Sequence, residues 1–246
     1  MLERGLNTYR KRINLRVSPG QLVVALAGNP NTGKSTLFNT LTGLNQHTGN
    51  WPGKTVQRAE GTYSHRGKKF VLIDLPGTYS LLANSVEEQI ARDFICFACP
   101  DVTVVVTDAT CLERNLNLTL QIMEITPKVV LCVNLIDEAE RKKILVDVGA
   151  LSEELGIPAV ATAARNGRGV KRLLDVVYEV ATGTVVTSPR LVTYNPEVEQ
   201  LVNRLEPKLR ILFPERVSSR WLALRLVDGD QGVVKAIVDF LNQNLQ

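Results

Sequence analysis

The chain is short of cysteine, aromatic residues, histidine and long apolar runs, and each shortage removes a class of protein. Four cysteines in 246 residues (Cys96, Cys99, Cys111 and Cys132) are too few for a disulfide-built fold, and they sit in apolar stretches where reduced core thiols are expected. Cys96-x-x-Cys99 has redox or metal-pair spacing but lies in a helix-like stretch without a second ligand pair or a nearby histidine, so it reads as core. Apolar stretches such as Leu22–Ala27 and Val129–Val133 reach only five or six residues, whereas a membrane-spanning helix needs about 20. No secretory h-region follows the basic residues near the N-terminus, and a cytoplasmic location is expected.

One-sided charge is missing as well. The net charge is +4, and residues 1–20 account for all of it, with Arg4, Arg10, Lys11, Arg12 and Arg16 against Glu3. Residues 21–246 therefore balance, without the basic face that phosphate-backbone binding needs, and no nucleic-acid partner is expected. Residues 1–20 read as a solvated basic extension. What remains is an ordinary globular balance, 44% apolar and 22% charged, enough for a sizeable core.

From Gln21 onward, short β-branched runs alternate with longer helical patterns, which predicts an α/β fold with a mostly parallel sheet. Strands are expected at Leu22–Ala27, Val56–Ser64, Lys69–Asp74, Val102–Thr107, Lys128–Asn134 and Ala159–Thr162. Helices are expected at Lys34–Thr42, Val86–Ala98, Arg114–Ile125, Val148–Leu155 and Val170–Ala181. The link His65-Arg66-Gly67-Lys68 is too short for a parallel crossover, so the second strand should be an antiparallel edge strand. Thr182-Gly183 ends the alternation, and Pro196–Leu212, Val217–Val227 and Gln231–Gln243 then read as a small all-α domain. The expected division is an extension at 1–20, an α/β domain at 21–183 and a helical domain at 184–246.

Gly28-Asn29-Pro30-Asn31-Thr32-Gly33-Lys34-Ser35 matches GxxxxGK[ST] between a strand and a helix, the context a phosphate-binding loop requires. Its glycines let backbone N–H groups curl around a phosphate, Lys34 reaches the β- and γ-phosphates, the Ser35 hydroxyl is placed for Mg²⁺, and Thr36 beside it is a further nucleotide-binding residue. Asp74-Leu75-Pro76-Gly77 closes the third strand, where Asp74 can hold Mg²⁺ through water and the Gly77 amide can sense a γ-phosphate. Asn134-Leu135-Ile136-Asp137 has the NxxD spacing that presents a carboxylate to guanine N1–H and its 2-amino group, a donor pair adenine lacks. Thr162-Ala163-Ala164 closes the sixth strand, where a backbone N–H can bond guanine O6. All of these lie at carboxyl ends of predicted strands, where α/β sheets bind ligands. Together they read as a P-loop GTPase.

The connection Gly43–Val56 is long, Gly-rich and expected to be mobile. With its Gly49-Asn50-Trp51-Pro52-Gly53-Lys54-Thr55-Val56, the loop at Gly28–Ser35 and Asp74–Leu81 (DLPGTYSL), the chain resembles the cytosolic GTPase domain of FeoB-type ferrous iron transport proteins. The likeness covers about residues 21–182, and the segment to 246 is similar to that family's helical domain, which modulates nucleotide release. The resemblance implies that Gly53, Lys54 and Thr55 meet the nucleotide and that Thr55 completes the Mg²⁺ shell in the triphosphate state. It further implies that Asn31, with the carbonyls of Gly49 and Trp51, holds an activating K⁺, so that Lys34, Asn31, Thr55 and Gly77 carry catalysis. Trp51 reads equally well as a packed aromatic.

Thr78 stands where Ras-like GTPases place a water-orienting glutamine and is too short for that task. Glu87 and Glu88 are candidates for it, although a solvated helix N-terminus is the better reading for both. The implied function is a slow GTPase switch, binding GTP and GDP and serving a membrane-embedded iron-transport domain in the same or a separate chain. A ribosome- or tRNA-associated GTPase and an interaction module with negligible hydrolysis stay open, as does self-association into a homo-oligomer.

Overall fold

The computed structural model describes residues 9–43, 46–82, 84–213 and 217–244. Of the basic N-terminal segment, residues 1–8, with Glu3 and Arg4, lie outside the described residues.

Strand β1 (Leu22–Gly28) sits in the middle of a seven-stranded sheet because its side chains are apolar on both faces. It pairs in parallel with β4 (Lys68–Asp74) and with β5 (Val102–Asp108); β6 (Val129–Asn134) and the short β7 (Ala159–Ala161) extend the parallel side. On the other side β3 (Gln57–His65) runs antiparallel to β4, as the short His65–Lys68 link requires. A further strand, β2 (Gln46–Asn50), pairs antiparallel with β3, so the order is β2-β3-β4-β1-β5-β6-β7. This corrects the expectation of a mobile connection. Polar residues 46–50 take strand geometry from the ladder with β3, and β2, not β3, is the outer edge.

Residues alternate between two cores across the sheet. Val24, Leu26, Leu72, Val104 and Val130 pack against α1 (Lys34–Thr42) and α6 (Val170–Thr182). Val23, Ala25, Ile73, Val105 and Leu131 face α2 (Val86–Asp93) and α3 (Leu112–Ile125). The helix expected to run on to Ala98 instead widens after Asp93 into a π-helical turn, Phe94–Ala98, every residue of which is buried. Sequence reading also missed α4 (Ile136–Arg141), which starts inside the NxxD stretch; α5 (Val148–Leu155) follows it as expected.

After Gly183, α7 (Pro196–Leu212), α8 (Ser219–Val227) and α9 (Gln231–Asn244) form the C-terminal helical domain. Asn195 caps α7 by accepting the Val198 N–H, with Pro196 in the first turn where no N–H is needed. Arg220 on α8 holds Glu199 on α7 through two bonds of 2.9 and 2.7 Å. The Tyr194 hydroxyl donates to Glu124 of α3 at 2.6 Å, and Arg92 of α2 lies 3.5 Å from Asp230, ahead of α9. Among the described residues no helix is long and apolar enough to cross a membrane.

Two further expectations are corrected. Cys111 is exposed at the start of α3, while Cys96, Cys99 and Cys132 are buried thiols as expected. Residues 9–17 do not trail in solvent, since Ile13 and Leu15 belong to the core.

Candidate functional site

The phosphate loop turns out of β1 by taking left-handed backbone at two places, Asn31 (φ 66°) and Gly33 (φ 79°), which turns successive N–H groups toward one concavity. A side chain at Gly33 is excluded twice over, by φ and because a Cβ there would lie 2.4 Å from Asn134 Nδ2. Helix α1 then begins with no side chain capping its first turn, which leaves its N–H groups and its dipole facing the loop. Asn31, Ser35 and Thr36 are exposed along this edge, whereas Asn29, Thr32 and Lys34 are buried.

Lys34 reaches across to the end of β4. Its ammonium donates to Asp74 Oδ1 and, at 2.7 Å, to the Leu75 carbonyl. Burial pushes the Asp74 carboxyl above its usual range, and Lys34 opposes that shift. The following Pro76-Gly77 passes so close to the loop that a Cβ on Gly77 would lie 3.4 Å from Pro30 N. Thr78, itself buried, donates its N–H to Gly28 O at 3.3 Å, and the Gly77 N–H has no hydrogen-bond partner among the described residues.

Asn134 has a structural task that motif reading does not show. It is 1% exposed, donates Nδ2 to Thr32 O at 2.9 Å, and accepts on Oδ1 from Thr162 Oγ1 and the Ala164 N–H, each at 3.0 Å. One side chain thus joins the phosphate loop, the end of β6 and the loop after β7. The Ala163 N–H is likewise taken, by Arg168 O at 3.0 Å. Leu135 adopts left-handed backbone (φ 59°), which swings Asp137 into the first turn of α4. The Asp137 carboxylate makes no hydrogen bond among the described residues. Arg168, forked onto Glu140 at 2.7 Å, is near enough to feel its charge.

No hydrogen bond or ion pair among the described residues joins segment 49–55 to this cluster. Gly49 pairs with Arg58 in the ladder, and the Trp51 carbonyl accepts the Lys54 N–H at 2.9 Å. Trp51 is buried, edge-on to Phe94 at 5.7 Å and beneath Arg58 at 5.0 Å, so the packed-aromatic reading holds for its ring. Gly53, Lys54 and Thr55 are exposed, and no hydrogen bond or ion pair among the described residues joins them to the phosphate loop. Ser85 caps α2 by accepting the Glu88 N–H, and the Glu88 carboxylate accepts from Ser80 Oγ and the Asn84 N–H at 2.8 Å each, so Glu88 braces the turn ahead of the helix. Glu87 is exposed in the same turn.

Comparison with known proteins agrees with this geometry. Residues 22–177 match the family model described as ferrous iron transport protein B, and residues 194–245 match that of the FeoB cytosolic helical domain. A Fe(2+) transport protein A/Fe(2+) transporter FeoB fusion protein of Porphyromonas gingivalis is 39% identical over 228 residues, 90% of this chain and 27% of that protein. The Fe(2+) transporter FeoB of Escherichia coli K12 is 38% identical over 217 residues, 85% of this chain and 27% of its own. The chain thus spans about a quarter of the length of these relatives. Among solved structures, the cytosolic domain of the T. maritima FeoB iron transporter in its GMPPNP form superposes with a TM-score of 0.80 at 38% identity, covering 89% of this chain and 86% of that one. The cytosolic domain of L. pneumophila FeoB gives 0.76 at 33% identity, covering 90% and 94%. With both family models matched in order and the loop, Asp74 and Asn134 converging at one end of the sheet, the chain belongs to the ferrous iron transport protein B family.

Proposed function

We propose that this chain binds GTP and GDP, hydrolyses GTP slowly, and signals its nucleotide state to a membrane-embedded ferrous iron transport domain, in the same or a separate polypeptide, at the cytoplasmic face of the membrane. The observation that carries the reading is the position of Lys34. Its ammonium lies at the mouth of the phosphate loop, holding the Asp74 carboxylate and the Leu75 carbonyl. An incoming β-phosphate offers it a replacement anion, so the cation exchanges partners without being left unpaired in a buried place. The helix α1 dipole and the loop N–H groups add to the attraction for the phosphates.

The donor set suits Mg²⁺. Ser35 supplies a hydroxyl, and Asp74 a carboxylate that loses its competing cation when Lys34 turns to phosphate. Ser35 and Asp74 would hold the ion, joined by Thr55 in the triphosphate state, and the metal supplies neutralisation of phosphate charge. Asn31 and the carbonyls of Gly49 and Trp51 are oxygen donors fit for K⁺; the Trp51 carbonyl keeps a lone pair beyond its bond to Lys54. Such a cation beside the phosphates would serve in place of an arginine finger. The Gly77 amide, without another partner among the described residues, is suited to a γ-phosphate oxygen, and Asp137 to the guanine edge.

Within this reading, residues 21–183 carry the nucleotide site and 184–246 modulate its release. Single-turnover hydrolysis in potassium and in sodium tests it, with a potassium rate of roughly 10⁻⁴ to 10⁻² s⁻¹ and a slower one in sodium. Equal rates remove the cation role of Asn31. No turnover in either salt leaves the interaction-module reading.

A further inference from the structure

Residues 9–17 precede the stretch matched by the family model, yet they are tightly placed. A helical turn at 9–12 is closed by the Ile13 N–H on Tyr9 O (3.1 Å) and the Leu15 N–H on Arg10 O (2.8 Å), and Ile13 and Leu15 are buried beneath it.

This segment fastens the molecule at two points. Arg10 donates Nε to Ala98 O and Nη2 to Cys99 O, both at 3.0 Å, placing a cation on the carbonyl end of the π-helical turn that continues α2. The Tyr9 ring lies 5.9 Å from Phe97 of the same turn, and Phe97 stacks on Phe240 of α9 at 5.3 Å. At the second point, the Ile13 carbonyl accepts from Arg58 Nη1. Arg58 is the cover over Trp51, its other arm held by Glu60 at 2.7 Å. Trp51 therefore sits between a guanidinium anchored on this segment and Phe94, whose turn the segment also caps. The indole is the one buried anchor of the otherwise exposed stretch 49–55.

We propose that residues 9–17 act as a strap that holds segment 49–55 at the sheet edge and so disfavours the arrangement in which Thr55 meets a bound triphosphate. The regulatory half rests on the nucleotide reading above; the mechanical half does not. A ligand that needs the segment elsewhere must work against the strap, and by linkage loosening the strap strengthens that ligand and leaves indifferent ligands alone.

The test uses the full chain carrying Tyr9→Ala with Arg10→Ala, and separately Arg10→Lys, which keeps the charge but loses the two-pronged contact. Hydrogen exchange by mass spectrometry, without nucleotide, is read at peptides spanning 46–57 and at β6 as a reference. In the double variant the Trp51 and Lys54 amides should exchange roughly tenfold faster while β6 is unchanged, with a smaller change for Arg10→Lys. GMPPNP should then bind roughly tenfold tighter and GDP as before. Unaltered exchange at 46–57 in a variant whose β6 is native overturns the strap, and if the double variant does not fold Arg10→Lys decides alone. Faster exchange with an unchanged GMPPNP to GDP ratio overturns the regulatory role. If wild-type protein binds neither nucleotide, the functional reading fails, and the exchange experiment still decides the mechanical claim.

Discussion

Replacing Asn134 by alanine probes the joint on which the site's geometry depends. The truncation strips a partner from the Thr32 carbonyl (2.9 Å), the Thr162 hydroxyl and the Ala164 N–H (3.0 Å each), all in a region where Asn134 is 1% exposed. A buried polar group left without a partner costs about 1–3 kcal/mol, so the three together span about 3–9 kcal/mol. Thr162 keeps Cys132 Sγ at 3.1 Å, and the space vacated by the carboxamide can take a water, which points to the lower end, about 3 kcal/mol. Against a typical total of about 5–15 kcal/mol this is a large fraction. Urea unfolding followed by circular dichroism should show the midpoint falling by roughly 1.5 M for a slope of about 2 kcal/mol/M. Gly33→Ala attacks the same contact from the other side, through a Cβ 2.4 Å from Asn134 Nδ2 and a φ of +79°, and should also destabilise. A loss below about 1 kcal/mol for Asn134→Ala would refute the idea that this side chain staples the three loops.

Asp137→Asn should reduce the preference for GDP over ADP by at least roughly tenfold in competition binding, because the mutant no longer offers two acceptors to the guanine edge. Lys34→Met leaves the Asp74 carboxylate half-buried without its cation, and should lower stability by about 3 kcal/mol near neutral pH. Burial already raises the Asp74 pKa, so protonation relieves the lone charge and the deficit in thermal melts should shrink as the pH falls. The Arg220 fork and the Tyr194 N–H hold Glu199 down at about 2, against an ordinary 4.5. A carboxylate with a depressed pKa stabilises the fold above its unfolded value, so this contribution should be complete above 4.5 and fade as pH drops toward about 2. Arg220→Met should flatten that part of the melting profile.

The central strands were legible because each is buried on both faces, giving β-branched runs such as Val102–Thr107 with polar motifs at their carboxyl ends. The hairpin was legible from the length of the His65–Lys68 link alone. Strand β2 was not, since Gln46–Asn50 holds no apolar residue and owes its conformation to pairing with β3. The same limit hid Asn134's task, whose partners lie 102, 28 and 30 residues away, and the Arg58–Ile13 contact across 45. Arg10, Arg12 and Arg16 suggested a solvated tail, but the apolar Ile13 and Leu15 between them decide where that segment lies. The π-helical turn after Asp93 was invisible because its five residues, Phe94–Ala98, fit a buried α-helix equally well.

Calorimetric titration with GDP and with ADP, magnesium present, decides whether Lys34 and Asp137 together form a guanine-nucleotide site. One GDP per chain, with ADP weaker by roughly 10⁴-fold, is the predicted result. Folded protein that takes up neither nucleotide, or both equally well, contradicts it.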